Sequence, residues 1–118
     1  PKSSFAAKFM GFSNIFSIKN RDKLDISNFF NTLEDEDTEN QKICFRSNNV
    51  KFKIENSGEF KIVSKQYFGG TYQIEVSNNK NILINLMSDE TISNDMKIGD
   101  SLNLSIESKD IIFLEDKW

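Results

Sequence analysis

The residues best suited to bind a ligand are two cations and a short glycine-rich segment. Gly69, Gly70 and Thr71 could present consecutive backbone N–H groups, an arrangement that binds small anions, and Lys65 and Arg46 would supply positive charge. Each feature also has a structural explanation. The two glycines suit a β-bulge, and Arg46 suits a salt bridge at a strand end. These five residues are the candidate ligand-binding residues, and the structural alternatives stay open.

Catalytic groups are scarce in this sequence. The 118 residues include no His and one Cys, which excludes a Ser-His-Asp triad, a Cys-His pair and a CxxC metal knuckle. Cys44 falls in an apolar stretch and is expected to be a small buried hydrophobe. Residues 34–39 contain five carboxylates but lack the spacing and central Gly of a calcium loop, so they predict a solvated loop. We expect no catalytic residue and no metal site in this chain.

Charge and hydropathy exclude further classes. The net charge of −3 and the pI of about 5.0 argue against nonspecific electrostatic binding of nucleic acid. The longest purely apolar run, at 111–114, is too short for a membrane span, and the first residues lack the apolar core of a signal peptide. One thiol in an unsignalled chain fits the reducing cytoplasm. Because it begins at Pro1, the chain either follows a removed Met or is a fragment.

The first residues predict a short helix. The phenylalanines follow a spacing of four, three and four, which is a helical stripe, and Gly11 would end the helix. We therefore predict a helix over 4–10. Its apolar face either packs on the core or docks on a missing neighbour. The candidate interface residues are Phe5, Phe9 and Phe12.

The remaining sequence predicts β-strands. A short strand is expected at 24–26. From residue 41, apolar and polar residues alternate with a period of two, bounded by turn signals. The predicted strands are 43–45, 50–54, 60–68, 72–76, 82–86, 102–106 and 111–114. The predicted turns are 56–58, 78–79 and 96–100, and a break or bulge is expected at 69–70. This pattern indicates an all-β barrel or sandwich, and a closed or nearly closed barrel would hide the strand edges.

Three stretches resemble one protein family. They are 1–11 with 13–16, then 43–50, and then 61–114, which contains Tyr67-Phe68-Gly69-Gly70-Thr71-Tyr72 and Met96-Lys97-Ile98-Gly99-Asp100. In this order they resemble the C-terminal transport-associated OB (TOBE) regulatory domain of the ATP-binding subunit of importer-type ABC transporters. The chain departs from that pattern in three places. It has Ser47-Asn48-Asn49 where the family has Pro-Glu-Asp, Ile106 where a Trp is common, and a long acidic insert.

The resemblance implies an OB-like β-barrel with a short N-terminal helix. Residues 1–12 would be a helical linker from a missing ATPase domain, and residues 13–118 would be the TOBE domain. The chain has no GxxxxGK[ST] phosphate loop and no strand-terminal Asp for magnesium. ATP and Mg would therefore belong to the missing domain, and the chain itself would be no enzyme and hold no cofactor.

The family also implies partners, a location and a solute. The partners would be a second copy of the subunit, its own ATPase domain and the transmembrane permease subunits. The location would be the cytoplasmic face of the membrane. The importer group would be the polyamine, ferric-ion or sugar group, and the opening motif is most similar to the spermidine/putrescine and iron(III) types.

Other classes remain as alternatives. A stand-alone OB module for single-stranded nucleic acid would use the aromatic residues for stacking and a groove formed by Lys51, Lys53, Lys61 and Lys65. A small enzyme would need Lys, Tyr or carboxylate chemistry. A dimerisation module without a ligand would differ from the regulatory interpretation only in lacking solute binding.

Overall fold

The structure is a computed structural model that describes residues 14–17, 42–89 and 95–114. Some sequence-based predictions lie outside these described residues. They are the helix at 4–10 with Phe5, Phe9 and Phe12, the strand at 24–26, and the acidic loop at 34–39. The described residues form strands and two short 3₁₀ turns, Ser47–Asn49 and Ser108–Asp110, so the all-β prediction is confirmed for them.

Eight strands follow one another along the described ranges. They are β1 Asn14–Ser17, β2 Lys42–Phe45, β3 Lys51–Ile54, β4 Phe60–Phe68, β5 Thr71–Asn78, β6 Leu83–Asp89, β7 Ser101–Ser105 and β8 Ile112–Leu114. Seven of them lie within a few residues of the strands predicted from residue 41 onward. The period-two pattern located them because each strand has one buried face, as in β6, where Ile84 and Leu86 are buried and Asn85 is not.

The strands form two antiparallel sheets. A three-stranded sheet has the order β1-β2-β8, and a five-stranded sheet has the order β3-β7-β4-β5-β6. Within the larger sheet, β4, β5 and β6 are consecutive hairpin neighbours, whereas β7 returns to pair with β3 and β4. This return connection brings the 96–100 turn onto the side of β4.

One hydrophobic core joins the two sheets. Ile43 and Phe45 of β2 pack with the buried side chains of the five-stranded sheet, and the ring of Phe16 stacks on that of Phe45 with centroids 5.9 Å apart. The buried aliphatic and aromatic residues that β4 to β7 contribute are Phe60, Ile62, Ile74, Val76, Ile84, Leu86, Leu102 and Leu104. Burial of these side chains is the main stabilising contribution to the fold.

The described strands do not close into a barrel, which corrects the expectation of a closed or nearly closed one. No described strand pairs with the outer edge of β6. The Asn14 side chain reaches this edge instead: its Nδ2 donates to the Asn85 carbonyl at 2.9 Å, and its Oδ1 accepts the Asn85 N–H at 2.7 Å. A single amide satisfies one residue of the edge, whereas a strand ladder would need several residues of β1 alongside β6.

Strand β4 contains a β-bulge at Val63. Ile62 lies opposite Val76 and Ser64 lies opposite Glu75, so Val63 has no partner residue on β5. The Ile62 N–H and C=O bond to Asp100 and Gly99 at 3.0 and 2.8 Å, so the 96–100 turn docks where β4 is irregular. Beyond the bulge, the side chains of β4 exchange faces: even-numbered residues point to the core before it and away from the core after it.

The hairpin between β5 and β6 is confirmed, with a different residue in the left-handed region from the one expected. The sequence suggested Asn78 and Asn79, but the positive φ of 63° is at Asn81. Asn78 ends β5 as a buried residue, and its Oδ1 accepts the N–H groups of Lys80 and Ile82, both at 3.0 Å. The side chain of Asn78 therefore organises the loop, while Asn81 supplies the unusual backbone angle.

Candidate functional site

A shallow groove lies on the outer face of the β4-β5-β6 meander, away from the core. It has a volume of about 360 Å³. Three strands supply its lining, which consists of Ser64, Gln66, Phe68, Gln73, Glu75 and Asn85. These residues share a face because the bulge at Val63 turns Ser64, Gln66 and Phe68 outward, opposite Glu75, Gln73 and Thr71.

Two of the lining amides lie opposite each other. Gln66 of β4 pairs in register with Gln73 of β5. Among the described residues, neither side-chain amide has a hydrogen-bond partner. Each amide therefore offers a donor and an acceptor to whatever occupies the groove.

A carboxylate and an aromatic ring complete the groove. Ser64 donates a hydrogen bond from Oγ to Oε1 of Glu75 at 2.8 Å, which orients the carboxylate across the two strands. At the other end, Phe68 is 57% exposed although it is a large hydrophobic residue. The groove thus combines an exposed ring with several uncharged polar groups and one negative charge.

The Gly69-Gly70 segment is the turn at the end of this groove. Gly69 and Gly70 have φ angles of 54° and 100°, and two consecutive positive φ values are what a two-residue type I′ hairpin loop requires. Thr71 closes the turn by donating from Oγ1 to the Phe68 carbonyl at 3.1 Å. The strand break expected at these glycines is confirmed, whereas the β-bulge of this strand lies at Val63. Anion binding by the turn stays a prediction.

The two candidate cations lie elsewhere. Lys65 points to the opposite face of β4, where its Nζ donates to the Met96 carbonyl at 2.9 Å and lies 4.5 Å from the centre of the Tyr72 ring. Arg46 lies between β2 and the Ser47–Asn49 turn, which packs against β6. The five candidate residues are therefore not gathered at one site. The glycine turn adjoins the groove, and neither cation is part of the groove lining.

Three of the four lysines proposed for a nucleic-acid groove have partners in the protein. Lys51 donates to Glu107 at 2.7 Å, and this bond raises the pKa of Lys51 and lowers that of Glu107. Lys53 lies 3.2 Å from Glu55, and Lys65 is engaged as described above. A continuous positive surface would need these cations to face solvent without neighbouring carboxylates. The arrangement of these three lysines does not favour that alternative.

The sequence analysis missed the residues that line the groove. Ser64, Gln66, Gln73 and Glu75 are ordinary polar positions of predicted strands, and nothing in their spacing marks them. The residue that could have pointed to the groove is Phe68, a large apolar side chain next to a glycine turn. Among the described residues, no group of three His, Cys, Asp or Glu side chains could hold a metal ion. Within the same ranges, no helix is long and apolar enough to cross a membrane.

One solved structure with a similar fold is a ligand-binding protein. It is the cytoplasmic molybdate-binding protein ModG, solved with molybdate bound, and its TM-score to this chain is 0.55 at 12% sequence identity. The match covers 62% of this chain, and the chain spans only 60% of the length of ModG. At this identity the likeness bears on the fold alone. It supports the OB-like, TOBE-type fold that the sequence predicts.

No protein-family model matches the sequence. No curated protein matches it either.

Proposed function

We propose that this chain is a ligand-binding regulatory module of the OB type. The observation that carries the proposal is the groove on the outer face of β4, β5 and β6 beside the Gly69-Gly70 loop. OB folds bind their ligands on the face of their second and third strands, near the loop that joins the first two. In the meander β4-β5-β6 the glycine turn joins the first two strands, and the groove extends from the first strand across the second to the third.

We further propose that the parent protein is the ATP-binding subunit of an ABC importer, of the spermidine/putrescine or iron(III) type. Support comes from the three family-like stretches, which contribute to one fold. Asn14 of the first stretch bonds to Asn85 of the third, and the 96–100 turn of the third docks on β4. The nucleotide site would lie in the missing ATPase domain, so this module would bind and regulate without catalysing a reaction.

Regulation requires only that the ligand have different affinities for two states of the parent subunit. If the module pairs with its copy in a second subunit, it keeps two ATPase domains at high effective concentration. A ligand that binds one arrangement of the pair more tightly shifts the population toward that arrangement. The expected partners are a second copy, the attached ATPase domain and the permease subunits at the cytoplasmic face of the membrane.

The test is the size and location of the native protein. An antibody against this chain should detect a band much larger than 13.6 kDa in the membrane fraction of the source cell, and permease subunits should co-purify with it. A separate band near 13.6 kDa in the soluble fraction would overturn the importer proposal. Salt-sensitive binding of single-stranded DNA or RNA would then become the function to test.

A further inference from the structure

We infer that the outer-face groove binds an uncharged polyhydroxylated ligand, such as a mono- or disaccharide. The inference rests on the proposed ligand-binding function and names its ligand class. It uses three observations: the exposed ring of Phe68, the amides of Gln66 and Gln73, which have no partner among the described residues, and the carboxylate of Glu75.

The ring of Phe68 provides an apolar platform. More than half of its surface is exposed, on the same face as the two glutamines. A sugar ring has one face of C–H groups, which packs on an aromatic ring, while its hydroxyl groups point outward at the edge. An exposed aromatic ring beside polar groups therefore matches both surfaces of a sugar.

The spacing of the polar groups suits such a ligand. Gln66 is two residues from Phe68 on β4, which places their Cα atoms about 6.6 Å apart along the strand. Gln73 lies directly opposite Gln66 on the neighbouring strand, about 5 Å away. A six-membered sugar ring on Phe68 could therefore direct its hydroxyl groups to both amides, each of which can donate and accept a hydrogen bond.

The charge of the groove argues against ions. Within the part of the chain that the structure describes, its lining contains Glu75 and no Lys or Arg, so these residues offer an oxyanion a repulsive carboxylate and no cation. A polyamine carries several positive charges, and one carboxylate, already bonded to Ser64, would balance few of them. Hydroxyl groups, in contrast, can donate to this carboxylate without any charge to balance.

The experiment uses ¹⁵N-labelled chain of 118 residues titrated with glucose, maltose and sucrose, and separately with spermidine and molybdate. We expect at least one sugar to give saturable shift changes at Gln66, Phe68 and Gln73. We expect its binding to be unaffected by about 0.5 M salt, an ionic strength that screens charge pairs. The inference is overturned if no sugar moves these signals, or if spermidine or molybdate saturates this face in preference to the sugars.

Variants of the exposed aromatic ring locate the site. Phe68→Ala should weaken sugar binding about tenfold or more, and Phe68→Trp should retain it. Tyr67→Ala is the matched control, because Tyr67 is the next residue, is 53% exposed and lies on the opposite face. Equal losses in the Tyr67 and Phe68 variants would contradict the inference.

The test of sugar binding and the test of the importer proposal can fail independently of each other. A sugar-binding chain whose native form is a soluble protein of 13.6 kDa would overturn the importer proposal and leave this inference intact. A chain within a large membrane-bound subunit whose groove ignores all three sugars would overturn this inference alone.

Discussion

At the scale of single residues, the surroundings of Cys44 determine its reactivity. Cys44 has no exposed surface and packs with Leu114, Ile15 and Ile112. Burial raises the pKa of the Cys44 thiol, and the positive charge of Arg46 opposes this to a smaller extent. Because the thiolate is the reactive form, this side chain is a buried hydrophobe, as the sequence suggested, rather than a nucleophile.

We therefore predict that the native chain reacts slowly with a thiol reagent such as DTNB, about 100-fold slower than the urea-unfolded chain or more. The pH dependence has a definite sign. The thiol's contribution to stability is complete below its unfolded-state pKa, and it falls as the pH rises through the folded-state pKa. Cys44→Ala should lack this alkaline loss when the two chains are unfolded by urea at several pH values. A native chain that reacts as fast as the unfolded one would contradict the prediction.

Gly58 shows a different constraint, which is space. A Cβ atom at this position would lie 2.6 Å from the carbonyl oxygen of Leu102 on β7. Gly58 also closes the β3–β4 turn, because its N–H bonds to the Glu55 carbonyl at 2.9 Å. The side chain of any other residue would push the turn away from β7.

We predict that Gly58→Ala lowers the free energy of unfolding by about 3 kcal/mol or more, since backbone has to move. The matched control is Gly69→Ala, where a Cβ would meet no atom within 4 Å but φ is positive. That change should cost about 1–2 kcal/mol, the strain of a left-handed residue. Urea unfolding of both variants gives the comparison, and an equal or smaller loss at position 58 would show that the turn yields easily.

At the scale of elements, the side chain of Asn14 satisfies part of the β6 edge that no described strand covers. Asn14 is 1% exposed and bonds both backbone groups of Asn85. Without the Asn14 side chain, the N–H and C=O groups of Asn85 would lose these hydrogen bonds, and partial burial would keep water from replacing them. The amide therefore connects the three-stranded sheet to the five-stranded sheet.

Asn14→Ala is predicted to lower the free energy of unfolding by about 2–3 kcal/mol, because it leaves two backbone groups without partners. Asn48→Ala is the control, since Asn48 is exposed in the turn after β2 and should change stability by about 0.5 kcal/mol or less. Hydrogen exchange at the Asn85 amide provides a local measurement. Unchanged protection of that amide in Asn14→Ala would mean that the hydrogen bond is unimportant.

The same elements show what a sequence can reveal. The period-two pattern identified β4 from Phe60 to Phe68 with both boundaries correct. It could not show that Val63 is an extra residue, because a bulge depends on the partner strand and on the docking of the 96–100 turn. Without the bulge, Phe68 would point to the core side. The groove was therefore invisible in the sequence although each of its strands was predicted.

At the scale of the whole molecule, the long arm formed by β4 and β5 is only partly covered. Strand β4 pairs with β7 at Phe60 and Lys61, and Ile62 bonds to the 96–100 turn. Beyond Ile62, no described strand pairs with this side of β4, which forms an edge of the sheet. Large hydrophobic side chains are exposed on and beside this part of the strand: Val63, Tyr67, Phe68 and Ile98. Exposed apolar residues at a sheet edge are typical of surfaces that pair with another chain.

We accordingly predict weak self-association, with a dissociation constant on the order of 100 μM, measured by sedimentation equilibrium. Tyr67→Glu should weaken it, because a charge would replace an apolar contact at the edge. Ile54→Glu is the control, since Ile54 is 46% exposed on β3, at the far edge of the same sheet. A monomer at millimolar concentration, or equal effects of both changes, would contradict the prediction.

Barrel closure could not be predicted at this scale. Strand periodicity reports which face of a strand is buried, and it carries no information on which edges meet. Instead of the expected barrel, the described residues form two sheets that pack on one core. The side chain of Asn14 joins the two sheets at β6.

The order of strands in the small sheet has a consequence for synthesis on the ribosome. Strand β2 pairs on one side with β1 and on the other with β8, where Cys44 lies opposite Ile112. Strand β8 is translated about seventy residues after β2, and such distant pairings form slowly. Until then, the side of β2 that pairs with β8, at Ile43 and Cys44, remains open in a nascent chain whose β4-β5-β6 meander has already been translated. This apolar segment of β2 is the kind of sequence that a chaperone of nascent chains binds.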